Sequence, residues 1–172
     1  MERILIGDLG SHVGKTASIS GWVDVRRDQG KMVFFDFRDR SGMVQGVVLP
    51  KSEALEAAKE VRNEYVVMVT GIVNKRPEKN VQEGKVNGDI ELEITGIKTL
   101  SPAQELPFDK DTDLNIDTRF DYRPYTMRSQ RDRDIFTVQA TILDAYRNSL
   151  KRQGLTEFVA PALVGGDAEG GS

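Results

Sequence analysis

The 172 residues comprise 38% hydrophobic, 30% charged and 7% aromatic side chains, a balance that excludes a membrane-embedded or fully disordered chain and allows one domain with part of a second, or two small ones. The absence of cysteine and the single histidine, His12, exclude disulfide staples and thiolate metal sites and leave little for a histidine-centred relay. Net charge is −3, with 15 basic against 15 acidic residues over 1–100 and 9 against 12 over 101–172, so nucleic acid would have to be held by a local patch rather than a polycationic surface.

The longest unbroken apolar run, Tyr65 to Val69, is far shorter than a bilayer span. At the start of the chain, Met1-Glu2-Arg3-Ile4-Leu5-Ile6 meets Gly7-Asp8 before an apolar segment develops. No secretory signal and no membrane partner are therefore expected, and a cysteine-free chain agrees with a cytoplasmic location.

From Thr16 to Arg26, Ile19, Gly21, Val23 and Val25 share one parity and polar residues plus Trp22 the other, the pattern of a half-buried strand. A charged, glycine-bearing turn through Gly30 leads to a second strand, Met32 to Arg38. Asp39-Arg40-Ser41-Gly42 then turns into a third, Met43 to Leu49. Pro50 stops that strand, and Ser52 is placed to cap a short helix reaching about Asn63, with Leu55, Ala58 and Val61 at helical spacing. Tyr65 to Asn74 and Ile90 to Leu100 read as strands four and five, separated by a long polar loop, Lys75 to Gly88. Five strands with one helix between the third and fourth are the makings of a five-stranded OB-type Greek-key barrel over residues 1–104.

Pro102, Pro107 and the acidic stretch from Asp109 to Asp121 read as a hinge, 105–130. From about Asp132 to Gln153, Phe136, Ala140, Leu143, Tyr146 and Leu150 recur at three and four, predicting a long amphipathic helix ended by Gly154, and Leu155 to Ala160 reads as a strand running into Pro161. One helix and one strand do not enclose a core, so 131–172 reads as the start of an incomplete α/β segment whose apolar face requires a partner.

Parity selects the candidate site. Val33, Phe35 and Phe37 share the core face of the second strand, which turns Phe34 outward beside Asp36 and Arg38. An outward aromatic on an OB strand is a stacking platform, and stacking a base on it contributes about 1–3 kcal/mol. Gln45 on the third strand offers a donor and an acceptor to a base edge, and Glu91 on the fifth is outward by the same alternation. Arg26, Arg27, Arg76, Lys79 and Asn80 supply cationic and amide groups around the ring. Each residue has a plainer reading as well: Phe34 as a surface contact, Gln45 and Glu91 as solvated face, Arg26 and Arg27 as partners of Asp24 or Asp28, and His12 as a loop residue.

Gly21-Trp22-Val23 with Arg26-Arg27-Asp28, Phe34-Phe35-Asp36-Phe37-Arg38-Asp39-Arg40-Ser41-Gly42 with Val44-Gln45, Val69-Thr70-Gly71, Arg76-Pro77-Glu78-Lys79-Asn80 and Gly88-Asp89-Ile90-Glu91 together resemble the N-terminal anticodon-binding domain of aspartyl-tRNA synthetases. Leu106-Pro107-Phe108, Asp117-Thr118-Arg119 and the run Gly154-Leu155-Thr156-Glu157-Phe158-Val159-Ala160-Pro161 resemble the hinge and motif 1 of the class II catalytic domain, which implies a homodimer in the parent enzyme. The resemblance implies that Phe34 stacks on the middle anticodon base, Gln45 hydrogen-bonds that uridine and Glu91 helps to read the first base. It implies that Arg27, Arg76 and Asn80 contact the other bases or the backbone. Ala168-Glu169-Gly170-Gly171 is similar to the loop near the amino-acid pocket, which makes Glu169 a candidate there.

The stretches that carry class II motifs 2 and 3 are not in this chain. No catalytic residue, metal site or cofactor is therefore expected in it, and ATP and Mg²⁺ belong to the parent ligase, which joins aspartate to its tRNA through an aspartyl-adenylate. The alternatives are a fragment of an asparaginyl- or lysyl-tRNA synthetase, or a stand-alone OB module for single strands; the Arg38-Asp39-Arg40-Ser41-Gly42…Gln45 run favours the aspartyl branch.

Overall fold

The computed structural model describes residues 2–108 and 112–161, and the chain divides after Glu105 into two units. In the first unit, β1 (Thr16–Gln29), β2 (Met32–Asp39), β3 (Gly42–Val48), β4 (Val66–Lys75) and β5 (Ile90–Ser101) close a barrel in the order β1-β2-β3-β5-β4. All neighbours are antiparallel except β3 and β5. This is the five-stranded OB barrel expected from the strand pattern, and its one α-helix, α1 (Leu55–Glu60), lies between β3 and β4.

The alternation of β2 is realised as read. Val33, Phe35 and Phe37 are buried, the two phenylalanine rings stack at 5.4 Å, and Ile19, Val23, Val44, Val48, Val67, Val69, Val73, Ile90, Leu92 and Ile94 pack in the interior with them. Each such side chain contributes roughly 1.5–3 kcal/mol by leaving water. Gly71 lets β4 cross β5 at close range: a Cβ there would stand 2.3 Å from the Glu93 carbonyl oxygen.

Three local features differ from the sequence reading. α1 is half the expected length, because the chain turns extended at Val61 to bury that side chain, and Glu64 then adopts a left-handed φ of 64°. Ser52 lies ahead of α1, accepting from Ala54 N at 3.2 Å and donating to the Ile94 carbonyl at 2.7 Å. An unforeseen 3₁₀ turn, Ile6–His12, puts Ile6 and Leu9 fully into the core. Asp39 ties that turn to the β2–β3 hairpin, accepting from Ile6 N at 3.0 Å and from Ser41 N at 2.7 Å. Burial pushes the Asp39 carboxyl up, but the hydrogen bonds from Ser41, Ile6 and Gly42 outweigh it and hold the group below its ordinary value.

The third difference is a bulge in β1. The β1–β2 register runs from Val23↔Phe37 to Val25↔Asp36, leaving Asp24 as the extra residue. Simple alternation puts Val25 inward with Val23; the bulge takes it off the core face and leaves it half-buried. Arg38 clamps this place, binding Asp24 at 2.6 Å and Glu64 at 2.8 Å, both carboxylates being buried, while the backbone of Val23 pairs with Glu64 and Tyr65.

In the second unit, the stretch read as hinge holds two short helices, α2 (Ile116–Asp121) and α3 (Arg123–Thr126), ahead of the long helix α4 (Gln130–Arg152). Asp132 joins them: its carboxylate accepts from Ser129 Oγ at 2.8 Å and is bridged by Arg119 at 2.9 Å and Arg123 at 3.7 Å, while its backbone N–H donates to the capping Ser129 Oγ at 3.2 Å. The serine hydrogen bond and the two guanidinium groups keep its carboxyl below the ordinary range against the opposing effect of burial. Arg123 also lies 5.5 Å from the Phe120 ring and 5.4 Å from the Phe136 ring.

The strand expected over Leu155 to Ala160 does not form, since no ladder partner exists for it among the described residues. Instead Glu157 returns to α4, bound by Arg147 at 2.8 Å and Lys151 at 3.6 Å. On α4, Ile135, Val138, Ile142, Leu143 and Tyr146 are exposed. Among the described residues, no helix is long and apolar enough to cross a membrane.

Candidate nucleic-acid interface

Strand register turns the outward residues into two parallel rows across the barrel. One row is Arg27, Phe34, Val47 and Glu93, of which Val47 is buried; the next is Val25, Asp36, Gln45, Glu91 and Asn74. Strands spaced by about 4.8 Å and a two-residue repeat of roughly 6.6 Å give this face the scale of a nucleotide. Phe34 is half-buried, with Arg27 and Val47 as its cross-strand neighbours, opposite in parity to the buried Phe35.

The β1 bulge brings Arg27 here. Uninterrupted alternation from Val23 would put residue 27 on the core face; the extra Asp24 shifts the phase, so that Arg26 comes opposite Phe35 and Arg27 opposite Phe34. Arg26 turns to the Ala58 carbonyl at 3.5 Å and to Asp28 at 3.3 Å. Arg27 makes a two-pronged bond with Asp36, Nη1 to Oδ2 at 2.9 Å and Nη2 to Oδ1 at 3.0 Å.

A cleft of about 410 Å³ opens beside these rows, lined on the strand side by Arg27, Asp36, Met43 and Gln45 and on the loop side by Arg76, Gln82, Lys85 and Val86. Arg76 is held by the Ile90 carbonyl at 2.9 Å and the Asn80 carbonyl at 3.3 Å, which pins the β4–β5 loop to the start of β5. Asn87, at a left-handed φ of 58°, donates to the carbonyls of Ile6 and Met43 at 2.7 and 3.1 Å and fixes the far end of the loop.

Of the residues that the sequence marks, Arg27, Gln45 and Arg76 line one cleft, and Phe34 and Glu91 stand on the flanking rows. Asn80 is exposed in the short turn Glu78–Asn80, outside the cleft lining. Glu169 falls outside the described residues. Asp36, Gln82 and Lys85 are lining residues that the sequence reading misses; Asp36 shares the parity of Phe34, which is the signal that could have marked it. Glu93, in the other row, accepts from Asn74 Nδ2 at 2.9 Å, which sets it apart from Glu91.

Residues 17–100 match the family of OB-fold nucleic acid binding domains that bears the name of the tRNA anticodon. Barrel and match together define an OB-fold nucleic-acid-binding domain. The chain is 38% identical over 161 residues to the aspartate–tRNA ligase of Shouchella clausii, covering 91% of this chain and 27% of that protein. It is 36% identical to the aspartate–tRNA(Asp/Asn) ligase of Syntrophomonas wolfei, covering 92% and 28%. The chain thus matches the N-terminal region of aspartate–tRNA ligases with an OB-fold domain of the anticodon-binding family, and it spans under a third of the length of these curated relatives.

Among solved structures, asparaginyl-tRNA synthetase from Pyrococcus horikoshii superposes with a TM-score of 0.76 at 27% identity, over 95% of this chain and 37% of that one. The aspartyl-tRNA synthetase of Entamoeba histolytica gives 0.80 at 24% identity, over 95% and 40%, a likeness of fold.

Proposed function

We propose that the barrel reads the anticodon loop of a tRNA, as the recognition module of an ATP- and Mg²⁺-dependent aspartate–tRNA ligase of the cytoplasm. The observation that carries this reading is the convergence of a stacking ring, Phe34, with base-edge and backbone ligands, Gln45, Glu91, Arg27 and Arg76, on two adjoining rows and one cleft. A base lying on Phe34 is held without regard to sequence, and the amide of Gln45 then selects its edge by offering one donor and one acceptor together. Glu91 accepts only, so it favours a base that presents amino or imino hydrogens. Arg27, Arg76 and the exposed Asn80 supply donors for the remaining bases and for phosphates, with Arg27, in the cleft beside Gln45, holding the backbone of the nucleotide whose base Gln45 reads.

The ligation step itself falls outside the barrel, since the catalytic domain of the relatives is not in this chain. The exposed apolar face of α4 supports a homodimer in the parent enzyme. Titration of the 172-residue protein with anticodon stem-loops tests the recognition reading. Tighter binding to a loop with uridine at the middle position than to the same loop with cytidine is expected; equal affinity for every loop would instead support a general single-strand module.

A further inference from the structure

We propose that Asp36 is a positioning residue for base selection: it fixes the guanidinium of Arg27 beside Gln45. The inference rests on the anticodon reading of this face. As a bare charge, a carboxylate in the middle of an RNA-facing surface opposes binding, because it repels phosphate. Asp36 is not bare. Both of its oxygens are taken by Arg27, at 2.9 and 3.0 Å, with the carboxylate side chain 22% and the guanidinium side chain 43% exposed. The same Asp36 is the register partner of Gln45, and all three side chains line one cleft.

The planar fork of arginine matches a carboxylate in only one orientation, so the pair sets the plane of the guanidinium as well as its position. Two of its five N–H groups are used by Asp36, and three remain for a base or a phosphate. Without Asp36 the arginine keeps its charge but loses that fixed plane. Attraction to RNA in general would then rise while discrimination between bases falls. A merely electrostatic Asp36 would produce the first effect without the second.

The test measures binding of the full 172-residue chain to two stem-loops that differ only in carrying uridine or cytidine at the middle position, over a range of salt. Asp36→Asn is expected to lower the uridine-to-cytidine affinity ratio at least fivefold. Asp36→Glu, which keeps the charge and moves the carboxylate outward by one methylene, is expected to lower the ratio with the salt dependence unchanged. The double variant Arg27→Ala/Asp36→Asn is expected to show the same ratio as Arg27→Ala alone, since Asp36 acts through Arg27. A ratio retained in either single variant, or independent losses in the double variant, overturns the positioning role while leaving the anticodon reading intact. Equal affinity of the unaltered protein for both loops overturns the two together.

Discussion

Replacing Phe34 separates stacking from packing when it is compared with its neighbour Phe35, a ring that lies wholly in the core. Phe34 is half-buried and pairs across the strands with the buried Val47, whereas Phe35 is fully buried and stacked on Phe37. Phe34→Ala removes a stacking surface that contributes about 1–3 kcal/mol to binding a base, which raises Kd for an anticodon stem-loop about 5- to 150-fold. It also uncovers Val47, so some thermal stability goes with it. Phe34→Leu distinguishes the two effects: the apolar volume is restored and the melting temperature with it, but an aliphatic side chain has no π face, and the loss of affinity should persist. Phe35→Leu is the mirror-image control, shrinking a fully buried ring and costing on the order of 1–3 kcal/mol of stability with little effect on Kd. Fluorescence anisotropy with a labelled stem-loop, paired with thermal melts of each variant, reads both quantities. A folded Phe34→Leu protein that binds RNA as tightly as the parent would show that the ring is only a cover for Val47, and the stacking argument would be wrong.

Four other substitutions probe different parts of the structure. Gln45→Ala should abolish preference for the middle base while changing affinity for the least favoured loop little, as read by the same titrations with loops differing at that position. Arg38→Ala removes the guanidinium shared by the buried Asp24 and Glu64 and should cost about 3–5 kcal/mol in chemical denaturation. Gly71→Ala forces a Cβ to 2.3 Å from the Glu93 carbonyl, so a lower melting temperature is expected, and an unchanged one would show that β4 and β5 can separate without loss. Asp39→Asn should cost about 1.5–3 kcal/mol at neutral pH, the scale of hydrogen bonds to a charged acceptor. Because the folded state holds the Asp39 carboxyl below its ordinary value, its contribution is present above the unfolded pKa of about 4 and is lost as pH falls through the folded value. The stability gap between parent and Asn variant should therefore close in acid; a gap constant down to the lowest pH at which both fold would refute that account.

Strand alternation is enough to separate Phe34 from Phe35 and Phe37 and to place Gln45 and Glu91 outward, since a period of two is a local property of the sequence. It fails where the chain departs from that period. Counting from Val23 assigns Val25 inward, and the same count would turn Arg27 inward; Asp24 breaks the count, clamped by Arg38, which also binds Glu64, 14 and 40 positions away from it in sequence. Ile6 and Leu9 escape a reading by periodicity because three apolar residues ahead of a glycine match neither a strand nor a helix, and a 3₁₀ turn gains its place only by filling the core against Asp39 and Ser41. The two short helices over 116–126 are hidden in an acidic stretch for a related reason. Their anchor is a buried aspartate, Asp132, drawing Arg119 and Arg123 together, and polar anchors leave no apolar periodicity to read. The strand read over 155–160 shows the converse: a β-prone run remains irregular where no neighbouring edge among the described residues pairs with it.

The adjacency of Gln45 and Glu91 depends on the closure of the barrel more than on either strand. β3 and β5 are separated by a helix and a strand in sequence, and they meet in parallel only because β5 crosses from β4 to β3 and shuts the sheet. Their pairing is short, Gln45↔Glu91 to Val47↔Glu93, and it supplies both rows of the candidate interface with their third and fourth members. A one-residue slip in that pairing would move Glu91 out of the row of Gln45 and reverse which face its side chain joins. Gly46 lies inside the segment, where a Cβ would stand 2.7 Å from both the Phe37 ring and the Ile94 side chain, so any larger residue there must push core side chains on β2 or β5 aside. The core packing of Phe37 and Ile94 is thus coupled to the placement of the carboxylate and amide that face solvent. A substitution at Gly46 should therefore change base preference as well as stability, a coupling that simple destabilisation of the barrel would not produce in the fraction that remains folded.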